Sequence, residues 1–74
     1  MGGKIRPFNA KKLEQLLSRH GFELLSQKGS HKKWRNSQTG RQVIVPFHGG
    51  RDLPIGTLRN ILTVAKIPDS EWRA

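Results

Sequence analysis

The chain has 74 residues, a formal net charge of +9 and no cysteine. A chain of this length forms one small domain, so we expect residues 1–74 to share a single core. The lack of cysteine excludes disulfides and thiolate metal sites. No apolar run approaches the roughly 20 residues of a transmembrane helix, and the first residues lack the apolar segment of a signal peptide. We therefore expect a soluble, cytoplasmic protein that makes no contact with a membrane.

The charge balance points to a polyanionic partner. Fourteen lysine and arginine residues stand against five aspartate and glutamate residues. Self-repulsion of this size is relieved by an anion, and nucleic acid is the commonest such partner. So few carboxylates argue against a two-metal nuclease, which needs several of them to hold its ions. We therefore expect no metal and no cofactor.

The first predicted element is a helix. Residues 1–7 are predicted to form a loose arm. Asn9 then offers an N-cap, and apolar residues from Leu13 onward recur at helical spacing. Gly21 stands where a left-handed residue ends a helix, so the pattern predicts a helix over residues 9–20.

Three short strands are predicted next, over residues 22–27, 30–36 and 41–46. Gly29 and Gly40 lie in the two intervening turns, where a positive φ is needed. Because both connections are short, we expect an antiparallel meander.

A second helix is predicted to begin with Pro54 at its first position. Its core-facing stripe consists of Leu58, Ile61, Leu62 and Ala65. Pro68 ends this helix, and residues 69–74 are predicted to add a last helical turn with Trp72 packed back on the core. The order α-β-β-β-α predicts a two-layer α+β fold, with both helices on one face of a three-stranded sheet.

The alternation of side chains along the second strand divides its basic residues between two faces. Trp34 is the only large apolar residue of this strand, so we expect it to face the helices together with Lys32. His31, Lys33 and Arg35 then lie on the open face of the sheet.

This inventory suits the cleavage of RNA without a metal. RNA carries its own nucleophile, the 2′-hydroxyl, so the protein need only move protons and stabilise charge on the phosphorus. Histidine suits proton transfer near neutral pH, which makes His31 the candidate catalytic residue. Lys28, Lys33 and Arg35 are the candidates for holding the phosphate.

Less specific interpretations stay open on the residues alone. A lone histidine in a basic strand is more often a solvated surface group than a catalytic one. His20 lies at a helix C-terminus, where a cation is stabilised, and is interpreted as structural. His48 lies in a glycine-rich loop, where it touches phosphate, supplies a general acid or is merely exposed. Gly56 and Thr57 open the second helix, whose backbone N–H groups favour a phosphate unless the glycine only permits close packing.

The sequence resembles the HicA/YcfA family of toxin ribonucleases. The resemblance covers about residues 8–67. The segments that carry it are His20-Gly21-Phe22, Lys28-Gly29-Ser30-His31, Val45-Pro46 with His48, and Gly56-Thr57-Leu58-Arg59-Asn60-Ile61-Leu62. Their order and spacing are more specific than any one of them.

The resemblance implies a fold similar to the double-stranded RNA-binding domain and an mRNA interferase inhibited by a HicB antitoxin. It places the family's catalytic histidine at His31. The full predicted RNA-binding set, chosen from the residues and the resemblance together, is Lys28, Ser30, Lys33, Arg35, His48 and Thr57. The sequence departs from the family pattern at Lys32 and Lys33, after the catalytic position, and at Lys66, where the last helix often ends in glycine.

Two other functions compete with this prediction. A non-catalytic RNA-binding module would have the same charge and the same fold. A pure protein-interaction domain for an acidic partner would also explain the charge. Only cleavage of RNA separates the first alternative from the enzyme.

Overall fold

The computed structural model describes residues 5–73, and residues 1–4 and 74 lie outside the described part. The elements are α1 (Ala10–Arg19), β1 (Phe22–Lys28), β2 (His31–Asn36), β3 (Gln42–Pro46) and α2 (Ile55–Val64), followed by a 3-10 turn over Asp69–Glu71. The strands form an antiparallel meander in the order β1-β2-β3. The predicted α-β-β-β-α order and α+β class are confirmed, and every predicted end of α1 and of the strands lies within one residue of the observed one.

The core lies between the two helices and one face of the sheet. Leu13, Leu16 and Leu17 of α1 and Leu58, Ile61 and Leu62 of α2 are buried in it together with Phe22, Val43 and Val45 of the strands. At the start of α1, the Asn9 Oδ1 atom accepts the Lys12 backbone N–H at 2.9 Å. This capping bond satisfies one of the unpaired N–H groups at the helix start. Gly21, with φ of 89°, ends the helix as predicted.

The buried side chain of Asn36 joins the end of α1 to the turn between β2 and β3. Its Nδ2 atom donates to the His20 carbonyl at 3.1 Å. Its Oδ1 atom accepts the backbone N–H groups of Gln38 at 2.9 Å and Thr39 at 3.1 Å. One amide therefore satisfies three backbone groups and fixes the position of β2 against the helix.

The two ends of α2 differ from expectation. Pro54, predicted at the first helical position, is the N-cap instead, because its ψ of 139° is extended. At the other end Lys66 has φ of 60°, in the left-handed region. The N–H of Ile67 donates to Leu62 O and that of Lys66 to Thr63 O, both at 3.1 Å. This is the Schellman arrangement, in which glycine usually occupies the left-handed position.

Lys66→Gly is expected to stabilise the fold by about 0.5–1 kcal/mol, because a Cβ in the left-handed region costs more than the entropy that glycine adds to the unfolded chain. The measurement is the free energy of unfolding from urea titration. Lys66→Ala is the control, since it removes the charge but keeps the Cβ. An equal gain in both variants would show that the charge of Lys66 matters and not its backbone.

The first and last parts of the described chain pair with each other near the core. The Arg6 N–H donates to the Trp72 carbonyl at 3.0 Å. The Trp72 side chain is 2% exposed, and its indole N–H donates to Ile67 O at 2.9 Å, so its predicted packing on the core is confirmed. Residues 5–7 are thus tied down, unlike the loose arm predicted over residues 1–7, whose first four residues lie outside the described part. Backbone pairing to the last turn explains the difference.

Candidate active site

The face of the sheet that points away from the helices carries most of the basic residues of β2. Because residues paired across antiparallel strands share a face, the register defines its composition. The cross-strand rows on this face are Lys28–His31–Pro46, Ser26–Lys33–Ile44 and Glu23–Arg35–Gln42. The predicted placement of His31, Lys33 and Arg35 together on the open face agrees with this register.

A shallow depression of about 380 Å³ forms on this face around the candidate histidine. The residues that line it are Ser26, Lys28, His31, Lys33 and Ile44. His31 is exposed, and the side chains of Lys28 and Lys33 flank it on the two neighbouring positions of the face. An imidazole thus lies beside two ammonium groups, which is an arrangement suited to an anionic substrate.

The turn before β2 explains why the histidine follows Gly-Ser. Lys28 and His31 pair directly across the strands, so Gly29 and Ser30 form a two-residue hairpin loop. Gly29 has φ of 59°. A positive φ at the first loop position, but not at the second, is the pattern of a type II′ turn, which favours glycine there. The turn places His31 at the first position of its strand, at the end of the sheet.

The two adjacent lysines, Lys32 and Lys33, lie on different faces of the sheet, and Lys32 lies close to Glu14 on α1. The Trp34 indole N–H donates to Glu14 Oε2 at 3.0 Å. The Lys32 Nζ atom lies 3.6 Å from the same oxygen. Lys32 and Trp34 therefore face the helices, as predicted, and Lys33 is the only member of the lysine pair that lines the His31 depression.

Glu14→Ala is expected to lower the free energy of unfolding by about 1–2 kcal/mol, since it leaves the partly buried Trp34 indole N–H without its acceptor. Glu14→Gln should cost less, because an amide oxygen still accepts that hydrogen bond. Urea titration followed by tryptophan fluorescence measures both. Equal losses in the two variants would mean that the negative charge, and not the hydrogen bond, stabilises this contact.

The other predicted site residues lie in different places. Arg35 is on the same open face as His31, farther along β2. Ser30 lines a neighbouring depression on the other side of the hairpin turn. His48 follows β3 in a loop, and Thr57 lies in the first turn of α2. None of these four is among the described residues that line the His31 depression, so the structure gathers only Lys28 and Lys33 around it.

Two residues that line the His31 depression, Ser26 and Ile44, were not predicted from the sequence. Ser26 pairs with Lys33 because an irregularity between Leu24 and Ser26 shifts the register of β1. No pattern in the sequence predicts this irregularity. Ile44 is 50% exposed on the open face. Its place on this face was predictable, because side chains alternate along a strand and Ile44 therefore points away from Val43 and Val45.

Residues 5–73 include no group of three or more histidine, cysteine, aspartate or glutamate side chains that could hold a metal ion. Within the same range, both helices are too short or too polar to cross a bilayer.

The order of elements, the basic open face and the Gly-Ser-His turn define a small, basic α+β protein. A family model described as the HicA toxin of bacterial toxin–antitoxin matches residues 10–67. This match covers most of the chain, so the chain belongs to the HicA toxin family and is a toxin of the toxin–antitoxin type. A search of curated proteins found no match.

Proposed function

We propose that the protein is a metal-independent endoribonuclease, an mRNA interferase, in which His31 transfers the proton and Lys28 and Lys33 hold the phosphate. The observation that carries the proposal is the depression in which these three side chains meet on an open basic face. Arg35, farther along that face, extends the track for the RNA backbone. We place this activity in the cytoplasm, where mRNA is available.

The chemistry follows from the substrate. His31 takes the proton of a 2′-hydroxyl, whose oxygen attacks the adjacent phosphorus, and the bond from phosphorus to the 5′-oxygen breaks. The ammonium groups of Lys28 and Lys33 stabilise the negative charge that gathers on the phosphate oxygens. The departing 5′-oxygen takes up a proton from a donor group or from water, and His48 is the proposed helper for this step. Ser30 and Thr57 remain proposed contacts to the RNA.

The independence from metal rests on the nature of the nucleophile. Because the attacking oxygen belongs to the RNA, no metal is needed to generate a hydroxide. The rows of the open face contain one acid, Glu23, which lies opposite Arg35. Metal ions would need further carboxylates near the phosphate.

A HicB-like antitoxin is the proposed inhibitor, and it would cover the His31 depression. Lys33 and Ile44 also line a second groove, of about 440 Å³, which continues from this depression toward α2. Val64 of α2, 41% exposed, lies in that groove. A partner seated there would bury apolar side chains next to a lysine of the site, which joins binding to inhibition.

The test is cleavage of a single-stranded RNA in EDTA, with DNA of the same sequence as the control. The proposal expects RNA to be cut in EDTA and DNA to stay intact, because DNA lacks the 2′-hydroxyl. Loss of cleavage in EDTA would overturn the metal-free mechanism. RNA that is bound but never cut would identify a non-catalytic RNA-binding module instead.

A further inference from the structure

Phe47 is the most exposed large apolar side chain within residues 5–73. It is 62% exposed, and the other large apolar side chains at the surface of this range are all aliphatic. It directly follows Pro46, the last residue of β3. A single exposed apolar side chain is common on protein surfaces, so the role of Phe47 follows from what surrounds it and not from its exposure.

The backbone of Phe47 is fixed beside the turn that precedes the candidate catalytic residue. Pro46 pairs with His31 across the strands. One residue farther on, the Phe47 N–H donates to the Ser30 carbonyl at 2.8 Å. The phenyl ring therefore begins from a backbone anchored to the turn that positions His31, and it is not at the tip of a free loop.

The ring forms one wall of another depression, also of about 440 Å³, which shares no lining residue with the His31 depression or with the groove toward α2. The residues that line this Phe47 depression are Gln27, Gly29, Ser30, Lys32 and Phe47. The set contains a cation, a hydroxyl and an amide but no acid. A Cβ atom at Gly29 would meet nothing within 4 Å, so the space beside this residue is open.

The His31 depression and the Phe47 depression lie on opposite sides of the Gly29–Ser30 turn. Lys28 and His31 point to one side, and Gln27 and Lys32 point to the other, because successive side chains of a strand alternate. A single strand of RNA that passes over this turn meets ammonium groups on the first side and an aromatic face on the second. Aromatic faces of this kind stack the unpaired bases of single-stranded RNA.

We propose that Phe47 is a base-stacking platform, which binds the nucleobase next to the phosphate that is cut at His31. This inference rests on the proposed ribonuclease function and names its substrate as single-stranded RNA. Ser30 and Gln27 offer polar contacts to the edge of the stacked base. Lys32 is held by Glu14, 3.6 Å away, and serves as a fixed wall.

The experiment measures binding of a 2′-O-methyl oligonucleotide, which cannot be cut. Wild-type protein first maps the cleavage position on the ribose version of the same sequence. Abasic nucleotides are then placed, one at a time, on either side of that position. Phe47→Ala is expected to weaken binding of the intact oligonucleotide by about 5- to 150-fold, the range for loss of one stacked base. When the missing base is the one that stacks on Phe47, Phe47→Ala and wild type should bind that abasic oligonucleotide with equal affinity.

Three further variants make the result specific. Phe47→Trp should bind like wild type, whereas Phe47→Leu, which lacks a π face, should bind like Phe47→Ala. Leu24→Ala is the matched control, because Leu24 is an exposed apolar side chain, 48% exposed, that lines neither depression. It should bind the oligonucleotide normally.

The outcomes separate this inference from the proposed function. Wild-type protein that neither binds nor cuts RNA would overturn both. Wild-type cleavage together with undiminished binding by Phe47→Ala would overturn the stacking role alone. So would a loss that is the same for every abasic oligonucleotide, or a Phe47→Ala defect confined to binding of a HicB-like antitoxin, which would assign the ring to a protein partner.

Discussion

Asn36→Ala is expected to lower the free energy of unfolding by about 2–3 kcal/mol. The substitution removes three hydrogen bonds and leaves a partly buried His20 carbonyl without its donor. A chain of this size has only about 3–5 kcal/mol to lose. The melting temperature should therefore fall by about 10–20 °C, at roughly 4–8 °C per kcal/mol for a domain of this length.

Thermal unfolding followed by circular dichroism measures this loss, and Gln38→Ala is the control. Gln38 is exposed and contributes only its backbone N–H to the Asn36 network. Its substitution should leave the melting temperature unchanged. A melting temperature of Asn36→Ala within a few degrees of wild type would show that water replaces the amide and that the network does not hold α1 against the sheet.

His31→Ala is expected to slow RNA cleavage by about 10²–10⁴-fold, the usual contribution of a positioned general base. Because His31 is exposed and its side chain makes no contact in the core, the variant should fold normally. Lys28 and Lys33 remain, so the affinity for RNA should change little. The loss should therefore fall on the single-turnover rate constant, measured with RNA at saturating protein.

His20→Ala is the matched histidine control for this measurement. His20 lies at the end of α1, where its Nε2 atom is 3.6 Å from Glu71 Oε1, away from the open face. Its substitution should leave the cleavage rate of the folded protein near that of wild type. Equal rates for His31→Ala and wild type would remove His31 from the mechanism.

The elements of the fold were predictable because local signals agree with one another. Asn9 and Gly21 mark the ends of α1 through capping rules that need no tertiary information. A single tryptophan in β2 sufficed to orient that strand, since a reversal would have exposed Trp34 and buried Lys33. The same alternation placed His31 on the open face.

Contacts between distant residues were beyond the sequence. In the sequence, Glu14 is an ordinary polar residue of α1. Its hydrogen bond to Trp34 can be predicted only when the packing of the helix on the sheet is known. Asn36 reads as the end of a strand, although its amide joins three segments. The pairing of Arg6 with Trp72 depends on how two segments far apart in the sequence come together.

The candidate site was predictable where local patterns set the direction of its side chains. Lys28 and Lys33 meet at His31 because a two-residue hairpin and strand alternation dictate it. Ser30, one position before His31, lies in the turn and lines the other depression. Phe47 was missed because its nearness to His31 arises from the pairing of β2 with β3, and its exposure is visible only in the folded chain.

The most direct test of the account is the chemical identity of the RNA ends left by the wild-type protein in EDTA. Attack by the 2′-hydroxyl leaves a 2′,3′-cyclic phosphate on one product and a 5′-hydroxyl on the other, and mass spectrometry of a short cleaved oligonucleotide distinguishes them from other ends. We expect these ends for wild type, and about 10²–10⁴-fold slower formation of them with His31→Ala. Products with a 5′-phosphate and a 3′-hydroxyl would contradict it, because water and not the RNA itself would then have attacked the phosphorus.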